Sequence, residues 1–288
     1  MNNVLFRARN RLFSILLIIL APAIVMAEQT TPSDDKITGA GAHFAWVIFD
    51  SLKDGLEKKT GKKIELFGKN SSLGMGCNAG IKLAQQSTHD HETFGFVCCP
   101  LSQDEIDKKQ IKVYPLAEEP ILILVNKNNP IKNLSLKQTR AIFRGDIKNW
   151  KEVGGWDKPI VVVTRLHCKK RPGHWKTILP HKDAFAKKRL NVSSAKEMVK
   201  LVTDFDSSVG HIGATWEFGS DSNVKAITIE NVEAKAENLK NKSYPFHRKL
   251  SAVTNMTPTE NVLKTIKQVQ YGKSFDEVAK KYNLLSLN

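Results

Sequence analysis

The segment TRLHCKKRPGHW, residues 164–175, brings together side chains that can do chemistry, directly after the apolar run PIVVV. It contains Cys168, the histidines His167 and His174, and Arg165, with lysines between them. Guanidinium and ammonium groups bind anions, whereas thiolates and imidazoles bind soft metal ions. Cys168 beside a histidine also fits a thiol-dependent enzyme. Because adjacent residues of one loop rarely form a nucleophile–base pair, the sequence predicts a protein that is not an enzyme.

The sequence has four cysteines, Cys77, Cys98, Cys99 and Cys168. An even number of cysteines in an exported protein favours disulfides, and we expect at least one. Four cysteines allow three pairings, and the sequence does not choose among them. A bond between Cys98 and Cys99 would be strained, so longer loops are the better candidates.

The N-terminal 27 residues have the pattern of a signal peptide. Three arginines in RARNR precede an apolar run from Leu12 to Leu20, and small residues precede a cleavage site before Glu28. Residues 28–35, EQTTPSDD, are polar and predict a flexible leader. No later apolar run is long enough to span a bilayer. The sequence therefore predicts a periplasmic protein.

The formal net charge is +15, and the three signal arginines contribute +3 of it, leaving +12. Such a balance attracts anions, acidic surfaces or nucleic acid. Because the protein is predicted to be exported, we expect no nucleic-acid partner. The basic surface is also compatible with simple solvation of many lysines.

Apolar runs of strand length alternate with segments of helical periodicity along the chain, which predicts an α/β fold with mostly parallel sheets flanked by helices. The segment YPLAEEPILILVNKNNP holds a long buried strand, and a helix begins at Ser135 and stops at a turn at Gly145. In such folds ligands bind at the carboxyl ends of strands and at helix N-termini. Four segments have that form and hold every cysteine: GAGAHF, GMGCNAG, FVCCPLS and TRLHCKKRPGHW.

From about Lys36 onward the chain resembles the periplasmic phosphate-binding proteins of phosphate ABC importers and their PstS-like relatives. The segments that carry the resemblance are ITGAGAHF, GMGCNAGIK, FGFVCCPLS, LVNKNNPIKNLSLKQTRAIFRGDIKNWKEVGG, PIVVVTR and VGHIGATWEFGSDSNVKAITIENV. The resemblance implies a type 2 periplasmic-binding-protein fold of two lobes joined by a hinge of crossing strands. Lobe 1 comprises residues 36–120 and 225–288, and lobe 2 comprises residues 121–224.

In that family two lobes close on a tetrahedral oxyanion, which receives hydrogen bonds from helix N-termini, hydroxyls and an arginine, while an aspartate accepts its proton. Cys98 stands where the acidic residue is expected, and Cys77 stands where the helix-opening serine is expected. The site is therefore a diverged one. The resemblance implies a ligand-binding set of Ala42, His43, Phe44, Cys77, Asn78, Cys98, Arg165, Cys168, Lys169 and Lys170.

Three interpretations of this site remain open. In the first, Arg165, Arg171, the lysines and backbone donors bind a phosphate-like anion. In the second, the cleft binds a soft metal or metalloid through His43, Cys77, Cys98, Cys168 and His174. In the third, the cysteines form structural disulfides, and a bond from Cys168 to the other lobe would restrict closure.

The sequence thus predicts a monomeric periplasmic solute-binding protein, without an obligatory cofactor, that captures a small inorganic anion. Its expected partners are that anion, or a metal species in its place, and an ABC permease or a membrane sensor.

Overall fold

The structure is a computed structural model that describes residues 35–67, 76–168, 171, 173–216 and 222–287. The predicted signal peptide and most of the predicted leader lie outside these residues, as do Lys169 and Lys170. Within the described part of the chain, none of the helices is both long and apolar enough to cross a bilayer.

Eleven strands form the described sheet. They are β1 (Lys36–Gly41), β2 (Lys63–Phe67), β3 (Glu92–Val97), β4 (Ile111–Asn126), β5 (Asn133–Leu134), β6 (Val161–Thr164), β7 (Leu190–Asn191), β8 (Ser208–Gly213), β9 (Val224–Ile229), β10 (His247–Asn255) and β11 (Leu285–Ser286).

Helices flank this sheet, which confirms the predicted α/β class. They are α1 (His43–Ser51), α2 (Lys53–Thr60), α3 (Gly76–Gln85), α4 (Gln103–Lys109), α5 (Leu136–Arg144), α6 (Ala195–Asp204), α7 (Ala236–Lys240), α8 (Glu260–Tyr271) and α9 (Ser274–Lys281).

The main path of the sheet runs β2-β1-β3-β10-β4-β8-β6-β7. Parallel pairs form both of its ends: β1 lies between β2 and β3, and β6 lies between β7 and β8. The long strand β4 joins the two ends, because its first part pairs antiparallel with β10 and its second part pairs antiparallel with β8 and β9. The long buried strand predicted from the sequence is therefore the element that connects the two parallel regions.

Buried apolar side chains gather into separate clusters along the sheet. One cluster surrounds β1, β3 and α3 and includes the ring contacts of Phe49, Phe94 and Phe96, whose centroids lie 5.0–5.2 Å apart. A second cluster surrounds the other half of β4 and contains the fully buried Trp150, and a third lies beneath α6. Burying so many large side chains is the main favourable contribution to folding. The lobe boundaries given above stay a prediction.

Local signals in the sequence place several helix ends. Ser135 caps α5 with a reciprocal capping box, and Gly145 ends it at φ 81°, as predicted. Ser194 caps α6 in the same way. The helical segment after His43 is broken into α1 and α2 at Leu52.

Candidate functional site

Three helix N-termini meet at one cavity of about 430 Å³. Helix α1 begins at His43 directly after β1, α3 begins at Gly76, and α6 begins at Ala195. The N-cap residue of α1, Ala42, offers no side-chain acceptor, so the first amide groups of that helix have no side-chain cap. Because free N–H groups and the helix dipole favour negative charge at such ends, the cavity is suited to an anion.

The charged side chains that line the cavity are cationic: Arg165, Lys196 and Arg248. Among the lining residues that the structure describes, none is an aspartate or glutamate. Arg165 follows β6 and is held by a hydrogen bond from its Nε to the Ser193 carbonyl oxygen at 3.1 Å. Burial lowers the pKa of Arg165, but its ordinary value is so high that the group stays charged.

Arg248 reaches the cavity from β10 and rests on a buried carboxylate. Its Nε donates a hydrogen bond to the carboxylate of Glu119 in β4, and Glu119 is fully buried. The backbone N–H of Thr215 donates to the other Glu119 oxygen at 2.8 Å. Burial alone would lower the pKa of Arg248, but the Glu119 charge more than offsets this, so the pKa is raised. The guanidinium is therefore charged and fixed in position.

Three histidines form a chain of hydrogen bonds along the wall of the cavity. His167 Nε2 lies 2.9 Å from His174 Nδ1, and His174 Nε2 lies 2.9 Å from His211 Nδ1. At one end His167 Nδ1 lies 2.9 Å from Cys168 Sγ, and at the other the backbone N–H of Arg165 points to His211 Nε2 at 3.4 Å. The chain therefore connects the thiol of Cys168 to the end of strand β6.

The histidine chain can run in two directions, and each direction satisfies one of two fixed donors, the Arg165 amide or the Arg248 guanidinium, while the other donor then faces a ring N–H. In the first direction the Arg165 amide donates to His211. Each neutral ring then accepts a hydrogen bond at one nitrogen and donates one from the other, so that His167 Nδ1 donates to Cys168 Sγ. If instead Arg248 Nη1 donates to His174 Nδ1, 3.2 Å away, His167 Nδ1 becomes an acceptor for the Cys168 thiol proton. The chain can thus stabilise either the thiolate or the thiol of Cys168.

Burial keeps these histidines neutral. It lowers the pKa of His167 to about 4 and that of His211 to about 3, and it lowers the pKa of His174 well below its ordinary value. The neighbouring Arg165 and Arg248 act in the same direction on all three. Burial also lowers the pKa of His43, whose ring lies 4.5 Å from that of Trp216.

The four cysteines lie close together, and three of them, Cys77, Cys98 and Cys168, line the cavity. Cys77 Sγ lies 3.8 Å from Cys98 Sγ and accepts a hydrogen bond from the Cys98 backbone N–H at 3.3 Å. Cys99 Sγ lies 2.6 Å from Cys168 Sγ. A disulfide bond is about 2.05 Å long, and all four residues are free cysteines. No two of these sulfur atoms lie at disulfide-bond distance in the described residues, and the expected disulfide stays a prediction.

Charge within this cluster concentrates on Cys168. Hydrogen bonds from the Cys77 and Cys99 thiols lower the pKa of Cys168, whereas the contact with Cys168 raises the pKa of Cys99. One thiolate that accepts from neighbouring thiols is the arrangement that satisfies most sulfur atoms at once.

The loop that carries Cys168 is anchored on both sides. Arg171 donates from its Nε to both carboxylate oxygens of Glu105 in α4, at 2.9 and 2.8 Å. Trp175, which is buried, donates from its indole N–H to the His167 carbonyl oxygen at 2.9 Å. Cys168 itself has a φ of 59°, in the left-handed region that a non-glycine residue enters at a cost.

Most of the predicted ligand-binding residues lie together at the cavity: Ala42, His43, Phe44, Cys77, Cys98, Arg165 and Cys168 all line it. Asn78 is exposed and is not among the lining residues. Arg171 is bound to Glu105 and does not line the cavity, because that carboxylate takes up its donor groups. Lys169 and Lys170 lie outside the described residues.

The predicted metal set is assembled only in part. Among the described residues, the three sulfur atoms that all lie within 4.8 Å of each other belong to Cys77, Cys99 and Cys168. Cys99 thus stands where Cys98 was predicted, and neither His43 nor His174 belongs to this group.

Sequence reasoning missed four lining residues of evident chemical interest: Ser194, His211, Thr215 and Arg248. Of these four residues, Ser194 was the easiest to predict from the sequence, because Ser194 and Glu197 have capping-box spacing at the start of α6. His211 and Arg248 lie inside strands and carry no local signal of a role at the cavity.

Comparison with known proteins agrees with this architecture. A family model described as a PBP superfamily domain matches residues 26–270. The phosphate-binding protein PstS of Bacillus subtilis (strain 168) is 27% identical over 146 residues, which cover 50% of this chain and 47% of that protein. A Pseudomonas aeruginosa phosphate-binding protein PstS is 27% identical over 164 residues, which cover 51% of this chain and 50% of that protein. The chain spans about half the length of these curated relatives.

Solved structures extend the likeness over most of the chain. A Clostridium perfringens structure, described as a phosphate ABC transporter substrate-binding protein with bound phosphate, has a TM-score of 0.70 and 26% identity. The match covers 88% of this chain and 100% of that one. An ABC-type phosphate transport receptor from Vibrio cholerae has a TM-score of 0.63 at 24% identity, covering 87% of this chain and 99% of that one, and shows the shared fold. The chain therefore belongs to the PBP superfamily, as a PstS-like member.

Proposed function

We propose that this protein captures a small inorganic oxyanion of the phosphate type in the cavity between its helix N-termini, and that it does so without chemical conversion. One observation carries the proposal: helices α1, α3 and α6 point their N-termini at a cavity that also holds Arg165 and Arg248, and no described lining residue is a carboxylate. Fixed donors and fixed positive charge around an enclosed space are what a tetrahedral anion requires.

The relatives support this ligand class. Those named above are described as phosphate-binding proteins, and the Clostridium perfringens structure is described with phosphate bound. That structure is also described as part of an ABC transporter. On this basis we extend the proposal to a periplasmic location and to delivery of the anion to an ABC permease or a membrane sensor by a monomeric protein.

The charges around the cavity favour binding of an anion in general and do not select the anion by its protonation state. A guanidinium–anion hydrogen bond contributes about 1.5–3 kcal/mol, and a helix N-terminus adds about 0.3–1 kcal/mol, or about 2 kcal/mol when partly buried. Cys98 lines the cavity where the family resemblance implies an acidic residue. Without a carboxylate to accept the proton of a hydrogen phosphate, the site binds the charge and shape of the anion.

The thiol-dependent alternative is weaker than capture. Cys168 does contact His167, but His167 is itself part of the hydrogen-bonded chain, and the Cys168 sulfur lies against Cys99. The contact with Cys99 leaves the Cys168 sulfur less room for an attacked carbonyl or phosphoryl group.

Tryptophan fluorescence provides a test, because Trp216 lines the cavity and its ring contacts His43. Titrating reduced full-length protein with inorganic phosphate should change the emission in a saturable manner. Trp216→Phe should remove most of the change, and Arg165→Gln should weaken binding by about tenfold or more. Arg144→Gln, at an exposed arginine paired with Asp146, is the matched control and should bind like the unaltered protein. An unchanged spectrum, with no binding detected by equilibrium dialysis, would reject the proposal.

A further inference from the structure

We infer that Cys77, Cys99 and Cys168 form a three-coordinate site for a soft, thiophilic ion of the class of Cu(I) or trivalent arsenic. This inference does not rest on the proposed oxyanion function, since it concerns a different ligand and a different set of donor atoms. The three sulfurs come from the first turn of α3, the residues after β3 and the loop after β6, and lie within 4.8 Å of one another.

The spacing fits a trigonal ion. An ion bound at about 2.3 Å from each of three sulfurs holds them about 4 Å apart. The Cys99 and Cys168 sulfurs lie closer than that, and the whole group lies within 4.8 Å, so rotation of the side chains is sufficient to reach the bound geometry. Among the described residues, no fourth histidine, cysteine or carboxylate ligand atom lies within 4.8 Å of all three sulfurs. The site therefore suits an ion that prefers three sulfur ligands better than it suits Zn(II), which prefers four ligands in a tetrahedral arrangement.

The surroundings are those of a ligand site. Cys77 and Cys99 are buried, while Cys168 is partly exposed and lines the cavity, which gives the ion a path of entry. Cys168 adopts a left-handed backbone conformation, and Arg171 and Trp175 hold its loop in place. Backbone strain that is maintained by anchors on both sides is typical of a functional position.

The histidine chain contacts a thiol that must lose its proton when an ion binds. Binding an ion requires the thiols to lose their protons, and His167 contacts the Cys168 sulfur at 2.9 Å. One direction of the chain places a donor against the thiolate and the other accepts the thiol proton.

For arsenic the chemistry balances without an oxidant. Arsenous acid has three hydroxyl groups on trivalent arsenic. Three As–O bonds break and three As–S bonds form, and each departing hydroxide takes one thiol proton to leave as water. The product is a neutral tris-thiolate in which arsenic remains trivalent. Cu(I) instead binds the three thiolates without change of oxidation state and releases their protons to solvent.

The test uses the full chain, fully reduced and free of metal, with sodium arsenite in one arm and Cu(I) held by a competing chelator in the other. Native mass spectrometry gives the stoichiometry, and near-ultraviolet sulfur charge-transfer absorption gives the affinity. We expect one ion per chain in at least one arm. Cys168→Ser, Cys77→Ser and Cys99→Ser should each weaken binding by about 100-fold or more.

Met256→Leu is the control, because Met256 carries an exposed sulfur atom and is not among the residues that line the cavity. This variant should bind the ion like the unaltered protein. Circular dichroism checks that each variant folds, and because Cys168 is partly exposed, Cys168→Ser still tests the site if a variant at a buried cysteine does not fold. Absence of an ion in both arms, or equal loss in Met256→Leu, would overturn the inference. Phosphate titration of the same samples reports separately on the proposed function.

Discussion

Gly80 of helix α3 lies against Gly95 of strand β3 so closely that a Cβ on Gly95 would stand 2.0 Å from the Gly80 carbonyl oxygen. The helix backbone therefore rests directly on the strand. This contact places the first turn of α3, with Cys77, beside Cys98 at the end of the strand. The position of one cavity wall thus depends on two residues without side chains.

Substituting Gly95→Ala should therefore destabilise the protein. The added methyl group forces α3 away from the strand, and overpacking of this kind costs about 3 kcal/mol. Gly55→Ala in α2 is the control, because nothing lies within 4 Å of its added Cβ and alanine favours the helix by about 0.5–1 kcal/mol. Urea denaturation measures both. A Gly95→Ala variant as stable as the original would show that α3 does not rest on β3 as described.

The ion pair of Glu119 with Arg248 predicts a second large effect. Glu119→Gln leaves the Arg248 guanidinium buried without its counter-charge, which should cost about 3–5 kcal/mol of stability. Glu118→Gln, on the same strand, removes a partly exposed contact with His247 and should cost less than about 1 kcal/mol. Equal midpoints of chemical denaturation for the two variants would contradict the assigned role of Glu119.

The buried histidines predict a loss of stability in mild acid. Their folded pKa values lie below the unfolded value of about 6.5, so the unfolded state binds protons that the folded state does not. The contribution of each neutral ring to the free energy of unfolding is fully present above about pH 6.5. This contribution is lost as the pH falls toward about 4 for His167 and about 3 for His211. At about pH 5 each should cost about 2 kcal/mol.

The measurement is the free energy of unfolding in urea at about pH 7.5 and at about pH 5. His167→Asn should reduce the difference between the two by about 2 kcal/mol. His89→Asn, at a highly exposed histidine, should leave it unchanged. A pH dependence that His167→Asn does not alter would show that this ring is not buried in its neutral form.

The missing carboxylate predicts weak discrimination between anions. An acceptor for the proton of hydrogen phosphate would exclude sulfate, which has no proton to give. No described lining residue supplies a carboxylate for this purpose, so phosphate and sulfate should differ in affinity by less than about tenfold, or about 1.4 kcal/mol. Competition between the two anions measures this ratio. A phosphate preference far beyond tenfold would indicate that another group of the cavity accepts the proton.

The sequence was a good guide wherever the signal was local. Ser135 and Gly145 mark the ends of α5, and the apolar run before Asn126 marks β4. The turns after β1 and β6 were expected to carry ligand groups, and His43 and Arg165 do line the cavity. Side-chain type and spacing are sufficient for such positions, because the strand that precedes them determines where they lie.

Other parts of the site depend on contacts between distant strands. His211 and Arg248 come from β8 and β10, and only the pairing of both strands with β4 brings them to the cavity. Whether Cys98 or Cys99 contributes its sulfur to the three-sulfur group depends on a shift of one residue after β3, and no pattern in the sequence determines that shift. The disulfide expectation stays a prediction for a related reason: cysteine count does not determine the separation of the sulfur atoms.

Isothermal titration calorimetry of the reduced full-length protein with inorganic phosphate measures oxyanion capture directly. We expect saturable binding of one anion per chain, weakened by about tenfold or more in Arg165→Gln and unchanged in Arg144→Gln. Absence of binding heat for phosphate and sulfate alike, in protein shown to be folded, would contradict it, as would binding that Arg165→Gln leaves intact.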